Sequence, residues 1–502
     1  METSNTLRLK RLGIDTHQEA VVYMRRDCHV CRAEGFSAHA RVRVTAGDTS
    51  IVATLNRITG DLLAPGEASL SEAAWARLGA ADGNEIVIRH SRSLDSLSHV
   101  RAKVYGQRLA DAEFSEIMKD IVSGRYSDIH LSSFITACSA RGLDSQEIVG
   151  LTRAMIAAGD RLDWGMTPVV DKHCVGGLPG NRTTPIIVAI VAARGLTMPK
   201  TSSRAITSPA GTADTMETLA PVDLDLAGMR RVVKQEGGCI VWGGAVDLSP
   251  ADDTLIRVER ALDLDSEGQL VASVLSKKSA AGSTHLVLDL PIGPTAKVRS
   301  AADANSLGAH LLEVARVLGI NARVVRSDGR QPVGKGIGPA LEARDVLAVL
   351  QGTRAAPSDL RSRAVTLSGA LLELGGAAVE GAGVDMAEAT LTNGQAWSKF
   401  QAICEAQGGM RTPPESSHRQ PVLAGCAGQV TAIDNRRLAR AAKLAGAPDA
   451  KAAGLELHTA LEHKVEKGMP LFTLHAETRG ELAYALEYIA RHPPIMEIGQ
   501  IS

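Results

Sequence analysis

The spacing of apolar and polar residues changes several times along this 502-residue chain, and each change marks a region. Over the first ninety residues the two kinds alternate singly, in AVVYMRR, ARVRVTA, SIVATLN and NEIVIRH, with turn residues between. That period predicts half-buried strands, and so a β-rich N-terminal domain over 1–93. From 94 to 163 the apolar residues recur three and four apart, as in AEFSEIMKDIVSGR and DSQEIVGLTRAMIAAGDRL, which predicts an α-helical lobe. A second helical stretch within 250–280 belongs with it. Strand signals at 167–170 and 196–198, glycine-rich loops and helices alternate over 164–249. The alternation resumes at THLVLDL and ARVVRSD over 281–409, the pattern of a large α/β domain with a mixed sheet and crossover helices. Beyond the polar linker RTPPESSHRQ, AGQVTAID and HKVEKGMPLFTLHAE predict short strands around glycine turns, a C-terminal α+β domain over 420–502. No solenoid repeat or low-complexity segment interrupts this order.

Composition narrows the class. A hydrophobic content of 44% with 22% charged residues is ordinary for a globular protein, and the length fits about three domains. Forty-eight glycines and only 3% aromatics favour an α/β enzyme over an all-β protein or an RNA binder that stacks bases. A net charge of −1 supplies no field for nucleic acid or an anionic membrane, so any anion recognition is local. Seven cysteines, an odd number, do not read as a disulfide framework. The N-terminal METSNTLRLKRLGIDT lacks the apolar core of a signal peptide, and the longest apolar run, 185–193, is too short to span a bilayer. A cytoplasmic location is the expectation.

Candidate chemistry concentrates in two loops about twenty residues apart, DKHCVGGLPGN (171–181) and TSSRAITSPAGT (201–212). Each follows a strand signal and opens a helix. Glycines expose backbone N–H groups, hydroxyls add donors and a helix start adds positive potential, so each loop fits an oxyanion such as phosphate. Two in tandem predict one anion site built from both. For a single loop the competing reading, turn-shaping glycines and helix-capping hydroxyls, is as good.

Together with SVLSKK (273–278), SDGRQPVGKGIG (327–338) and the tail VTAID…VEKGMPLFTLHAE, these loops occur in an order that resembles the thymidine phosphorylase family of pyrimidine-nucleoside phosphorylases. The resemblance runs from about residue 107 to the C-terminus. The extra N-terminal domain and the loop SSRAITS look like the longer branch, which includes AMP phosphorylase and proteins called putative thymidine phosphorylases. Such enzymes cleave an N-glycosidic bond with inorganic phosphate as co-substrate and no other cofactor. The implied partners are a small nucleoside or nucleotide and phosphate, with the chain in a homodimer or larger homo-oligomer.

What the resemblance implies for single residues can be set against what the reaction demands. Phosphate must sit beneath the anomeric carbon while the C–N bond opens to a cationic centre, so positioning and charge placement carry the catalysis. Lys172, Ser202 and Thr212 match phosphate-binding positions, Thr183 replaces a serine there, and Gly176 and Gly177 let the backbone approach. Cys174 also replaces a serine, as a weaker donor. His173 matches a histidine that touches the base, with a hydrogen-bonded structural histidine as the alternative. Asp265 matches a proton donor to the departing base and is equally well placed to cap the helix that follows. Ser273 and Lys277 lie four apart, hence on one helix face, and both match substrate contacts; Lys278 reads as part of a solvated stripe. Lys297 and the run Ser203, Arg204, Ala205, Ile206, Thr207 and Ser208 complete the implied substrate contacts.

Counting back from SVLSKK puts Val258, flanked by Arg257 and Arg260, where thymidine phosphorylases carry a base-reading arginine. This favours a nucleoside 5′-monophosphate such as AMP over thymidine, which stays the alternative. Rivals from other classes are a Mg²⁺-dependent phosphoribosyltransferase, for which Asp252-Asp253 is the obvious acidic pair, and a non-catalytic ligand-binding protein. Cys28-x-x-Cys31 invites a zinc reading, but only His17 and His39 could serve as further ligands, so no metal is expected. The 334–338 glycine run reads as a turn before a helix at Pro339. No lysine in the tail is flanked by methionines as a swinging-cofactor attachment site would be.

Overall fold

The singly alternating N-terminal stretches close into a barrel. In the computed structural model, which describes residues 6–205, 208–246, 248–262, 264 and 266–499, the barrel strands are Thr6–Leu9, Val21–Arg25, Arg41–Ala46, Thr49–Ile58, Glu67–Leu70 and Glu85–His90. They pair around the barrel in the order first, fifth, second, fourth, third, sixth. Alternation does its expected work in Arg41–Ala46, where Val42 and Val44 are buried and their neighbours half-exposed. The two four-residue strands are too short to show a period, and sequence reading passed over them.

The chain divides into two compact units, Met1–Ala158 with Pro250–Leu270, and Gly159–Ser249 with Val271–Ser502. The first holds the barrel and a helical bundle that includes Asp111–Val122, Asp128–Arg141, Ser145–Ala157 and Pro250–Leu262. Asp144 caps Ser145–Ala157 by accepting from the N–H groups of Gln146 and Glu147. Glu147 then pairs with Lys103 at 2.7 Å, both side chains buried.

In the second unit Val170–Cys174 pairs in parallel with His285–Ile292, which pairs in parallel with Asn321–Asp328. Met198–Ser202 pairs in parallel with Gly238–Trp242, and a parallel bridge from Val169 to Thr197 joins the two groups. The first strand begins later than the apolar signal at 167–170 predicts, because Pro168 has no N–H to give a ladder. DKHC is therefore strand, not loop. The signal at 196–198 likewise becomes the strand Met198–Ser202.

Helix Thr183–Ala193 is the centre of the core. Its sequence, TTPIIVAIVAA, has no polar face, so it can be stable only with apolar partners on every side, and all residues from Thr183 to Ala192 are buried. Helices Ser358–Leu374 and Gln395–Gln407 pack on it. The β-branched run lowers helix propensity by only tenths of a kcal/mol per residue, whereas burying each Ile or Val contributes about 1.5–3 kcal/mol, so packing decides. Antiparallel sheets with helices Asn435–Leu444 and Arg479–Arg491 form the C-terminal part, and Gly338, at φ +122°, is the turn into helix Pro339–Leu350.

Replacing Ile190, fully buried in this helix, by Ala should cost about 2–5 kcal/mol. The drop in the urea midpoint of that unit's transition at unchanged slope measures it; a midpoint within error of wild type would contradict this account of the core.

Candidate active site

Val170–Cys174, Met198–Ser202 and His285–Ile292 run parallel, so the segments that leave their carboxyl ends emerge at one edge, where open α/β sheets bind ligands. Those segments are the first anion loop, the second anion loop and the turn carrying Lys297. The first and third of them touch. Gly177, at φ +83°, has no room for a side chain, since a Cβ there would stand 2.6 Å from the Lys297 backbone nitrogen. Gly176 faces open space instead.

Asp171 and Lys172 are 1% and 2% exposed, two charges in succession inside a central strand. Neighbours on a strand point to opposite faces, so the pair serves two surroundings. The Lys172 Nζ donates to Thr183 Oγ1 at 2.8 Å, at the start of helix Thr183–Ala193, and among the described residues it makes no ion pair. A buried ammonium costs several kcal/mol unless an anion approaches it. Asp171 faces Lys200 and Lys278 at 3.0 and 2.7 Å.

Arg182, which sequence reasoning passed over, ties the two anion loops together. Its guanidinium donates to Thr212 Oγ1 at 2.7 Å and to the Ala210 carbonyl at 2.9 Å, and it is held from behind by Glu342 at 2.6 Å. Glu342, 1% exposed, also accepts from Thr215 and from the Gly338 N–H. Burial pushes its carboxyl above the usual range, against the pull of Arg182. A cation flanked by asparagine and threonine at the end of an anion loop was the available signal; Glu342, 160 positions away, was not.

The second loop wraps a carboxylate. Asp214, buried in the first turn of the helix after it, accepts from the N–H groups of Ala205 and Gly211 at 2.7 and 2.9 Å. Gly211 is obligatory, because a Cβ would lie 2.5 Å from the Ser203 carbonyl. The Arg204 guanidinium rests on Glu217 at 2.8 Å, with Asp214 at 3.3 Å and the Trp242 ring 4.9 Å beneath, so in this structure it organises the loop. Ser202 is half-buried at its strand end, Ser203 exposed, and Ser208 turns back to the Ala210 carbonyl. Ile206, Thr207 and Asp265, all expected at the site, lie outside the described residues.

The imidazole of His173 is held well below its usual range by burial first and then by Lys278, Lys200, Lys277 and Lys172, so it stays neutral and can donate one hydrogen bond. Cys174, whose thiol is pushed up to about 12 by burial and by Asp289, accepts from Asn181 at 3.2 Å and stays uncharged. Ser273 and Lys277 are the half-exposed positions on a stretch of helix Glu267–Ala280 that is otherwise buried from Val271 onward. Lys278 corrects the expectation of a solvated stripe: it is 4% exposed, because Asp171 gives it a buried partner.

Three further positions are accounted for elsewhere. Val258 is buried, and Arg257 forms a two-pronged pair with Asp128 in the helical bundle. Cys28 caps helix His29–Glu34 by accepting from the Cys31 N–H. Among the described residues no group of three or more His, Cys, Asp or Glu could hold a metal ion, and no helix is long and apolar enough to cross a membrane.

A parallel sheet presenting such loops at its carboxyl edge has counterparts. Family models match residues 98–159 as a glycosyl transferase family helical bundle domain, 166–397 as that family's a/b domain, and 429–495 as a pyrimidine nucleoside phosphorylase C-terminal domain. In structure the chain is similar to anthranilate phosphoribosyltransferase from Thermus thermophilus, with a TM-score of 0.53 and 20% identity over 61% of this chain and 98% of that one, a likeness of fold alone. It is 64% identical to putative thymidine phosphorylase 2 of Acidovorax sp. (strain JS42), over 99% of this chain and 97% of that protein. It is 58% identical to the putative thymidine phosphorylase of Hahella chejuensis (strain KCTC 2396) over 99% of each. The chain belongs to the family of these proteins.

Removing Arg182 leaves Glu342 buried without its counter-charge, so Arg182→Ala should lower stability by about 3–5 kcal/mol near neutral pH. Because the Glu342 carboxyl already titrates high, acid neutralises the stranded charge. The deficit should therefore shrink as pH falls toward 5, read by urea unfolding at several pH values; a deficit that grows in acid would contradict it.

Proposed function

We propose that this chain is a pentosyltransferase that uses inorganic phosphate to break the N-glycosidic bond of a nucleoside 5′-monophosphate of the AMP type, releasing the base and ribose 1,5-bisphosphate. The observation that carries the reading is the buried Lys172 ammonium, whose partner is a hydroxyl at a helix start and which has no carboxylate of its own among the described residues. A phosphate bound there supplies the missing negative charge and stands near the hydroxyls of Thr183 and Thr212, the second of which Arg182 holds. Lys172, Ser202, Thr212 and Thr183 hold the nucleophile, with Gly176 leaving it room. Lys297, Ser273 and Lys277 address the substrate. Neutral His173 donates to an acceptor on the base, and Asp265 gives the departing base its proton.

In the second loop Arg204, the Ala205 N–H and Ser208 are already engaged with Glu217, Asp214 and the Ala210 carbonyl, so that loop does not separate the readings. The 5′-monophosphate is favoured by one feature. Arg257, beside the position where a thymidine-reading arginine is expected, is already taken by Asp128. The second reading, release of thymine from thymidine, is favoured by the names of the relatives. In either case phosphate is the co-substrate and no further cofactor is needed.

Incubation of AMP, CMP, UMP, thymidine and uridine with phosphate, followed by mass spectrometry of the sugar product, separates the readings. Ribose 1,5-bisphosphate is expected; deoxyribose 1-phosphate would favour thymidine, and phosphate-dependent release from none of them would refute phosphorolysis. EDTA should leave the rate unchanged, and a rate restored only by Mg²⁺ would favour a phosphoribosyltransferase. Asp265→Asn should lower kcat by about 10²–10⁴-fold, as loss of a general acid does.

A further inference from the structure

Asp171 and the two lysines on it take no part in that chemistry, yet they are among the most deeply buried charges of the unit. Asp171 Oδ1 accepts from Lys200 Nζ at 3.0 Å and from the Lys172 N–H at 2.7 Å. Its Oδ2 accepts from Lys278 Nζ at 2.7 Å and from Ser283 Oγ at 3.3 Å. With both lysines charged, two ammoniums on one carboxylate leave a net positive charge in the interior, an arrangement whose replacement by apolar residues of similar size is often neutral or stabilising. Stability alone does not explain it.

What the cluster joins does. Asp171 precedes Lys172 and His173 on one strand, Lys200 lies two residues before Ser202 on the next, and Lys278 follows Lys277 on helix Glu267–Ala280. We propose that Asp171, Lys200 and Lys278 are positioning residues, a buried ionic clamp that sets the strand of Lys172, the strand of Ser202 and the helix of Ser273 and Lys277 at the spacing phosphorolysis requires. The inference rests on the phosphorolysis reading.

The electrostatics agree with the geometry. Burial alone would raise the Asp171 carboxyl, but Lys200 and Lys278 hold it below its usual range. Burial pushes the Lys278 ammonium down to about 7 against the attraction of Asp171, with Lys200 adding repulsion. Among the described residues the charged groups acting on Lys278 are Asp171 and Lys200; His173, on the strand of Asp171, feels Lys278 together with Lys200, Lys277 and Lys172, and Cys239, on the strand beyond Lys200, feels Asp171. Lys278 thus carries its charge below about pH 7 and loses it as pH rises, leaving Asp171 with one ammonium.

Steady-state kinetics of the full-length protein with the best nucleotide and phosphate, from pH 5.5 to 9, test this in wild type, Lys278→Met and Lys278→Arg. Lys278→Met is expected to lower kcat by about 10²-fold, the effect of a displacement on the order of 1 Å, with a smaller change in KM. Lys278→Arg, whose guanidinium stays charged throughout, is expected to keep activity at pH 6.5 and carry it to higher pH than wild type. A Lys278→Met enzyme with wild-type kcat, KM and pH profile would overturn the proposal. So would a Lys278→Arg enzyme whose alkaline decline coincides with that of wild type, a comparison that holds even if Lys278→Met does not fold. Wild type that releases no base and binds no inorganic phosphate by calorimetry would sink the phosphorolysis reading and this inference with it; wild type that turns over beside unaltered Lys278 variants sinks the inference alone.

Discussion

Arg182 holds together two loops that the chain makes separately. Its guanidinium reaches Thr212 and Ala210 in the second loop from the start of the helix that the first loop opens, and Glu342 fixes it from the far side. A planar guanidinium with donors at fixed angles is suited to this, since it can satisfy a carboxylate, a hydroxyl and a carbonyl at once without moving. Without that link the loops would be two anion-friendly turns on neighbouring strands. With it, the start of helix Thr183–Ala193, where Thr183 receives Lys172, is tied to Thr212 of the second loop.

The candidate site gathers several buried cations although the whole chain is nearly neutral. Lys172 is buried against a hydroxyl, Lys200 and Lys278 share one carboxylate, and His173 is kept uncharged by burial and by those lysines. These cations lie on two neighbouring strands and one helix, in surroundings that screen charge poorly. The net charge of −1 adds no long-range field to these local charges.

Much of the architecture was legible because its signals are local. Val42 and Val44 alternate with polar neighbours, so the longer barrel strands announced themselves; the all-apolar Thr183–Ala193 helix was equally plain. The two loops that the structure brings together were legible where glycines and hydroxyls stand close in sequence, at 171–181 and 201–212. The site was not legible where meaning depends on a distant partner. Lys278 looked like part of a solvated stripe, and neither Arg182 nor Asp214 stood out. Each is defined by another residue: Asp171 for the first, Glu342 for the second, and the N–H groups of Ala205 and Gly211 for the third.

The sequence by itself determined most of the longer strands and helices and the glycine- and hydroxyl-rich composition of the two turns, because periodicity, glycine and side-chain hydroxyls act over a few residues. Tertiary structure alone decided that those turns meet, which lysines share a carboxylate and which one rests on a hydroxyl, and that the helix of Lys277 is anchored from its buried side. Charge–charge energies depend on the distance and the medium between groups far apart in the chain, and neither exists until the sheet has formed.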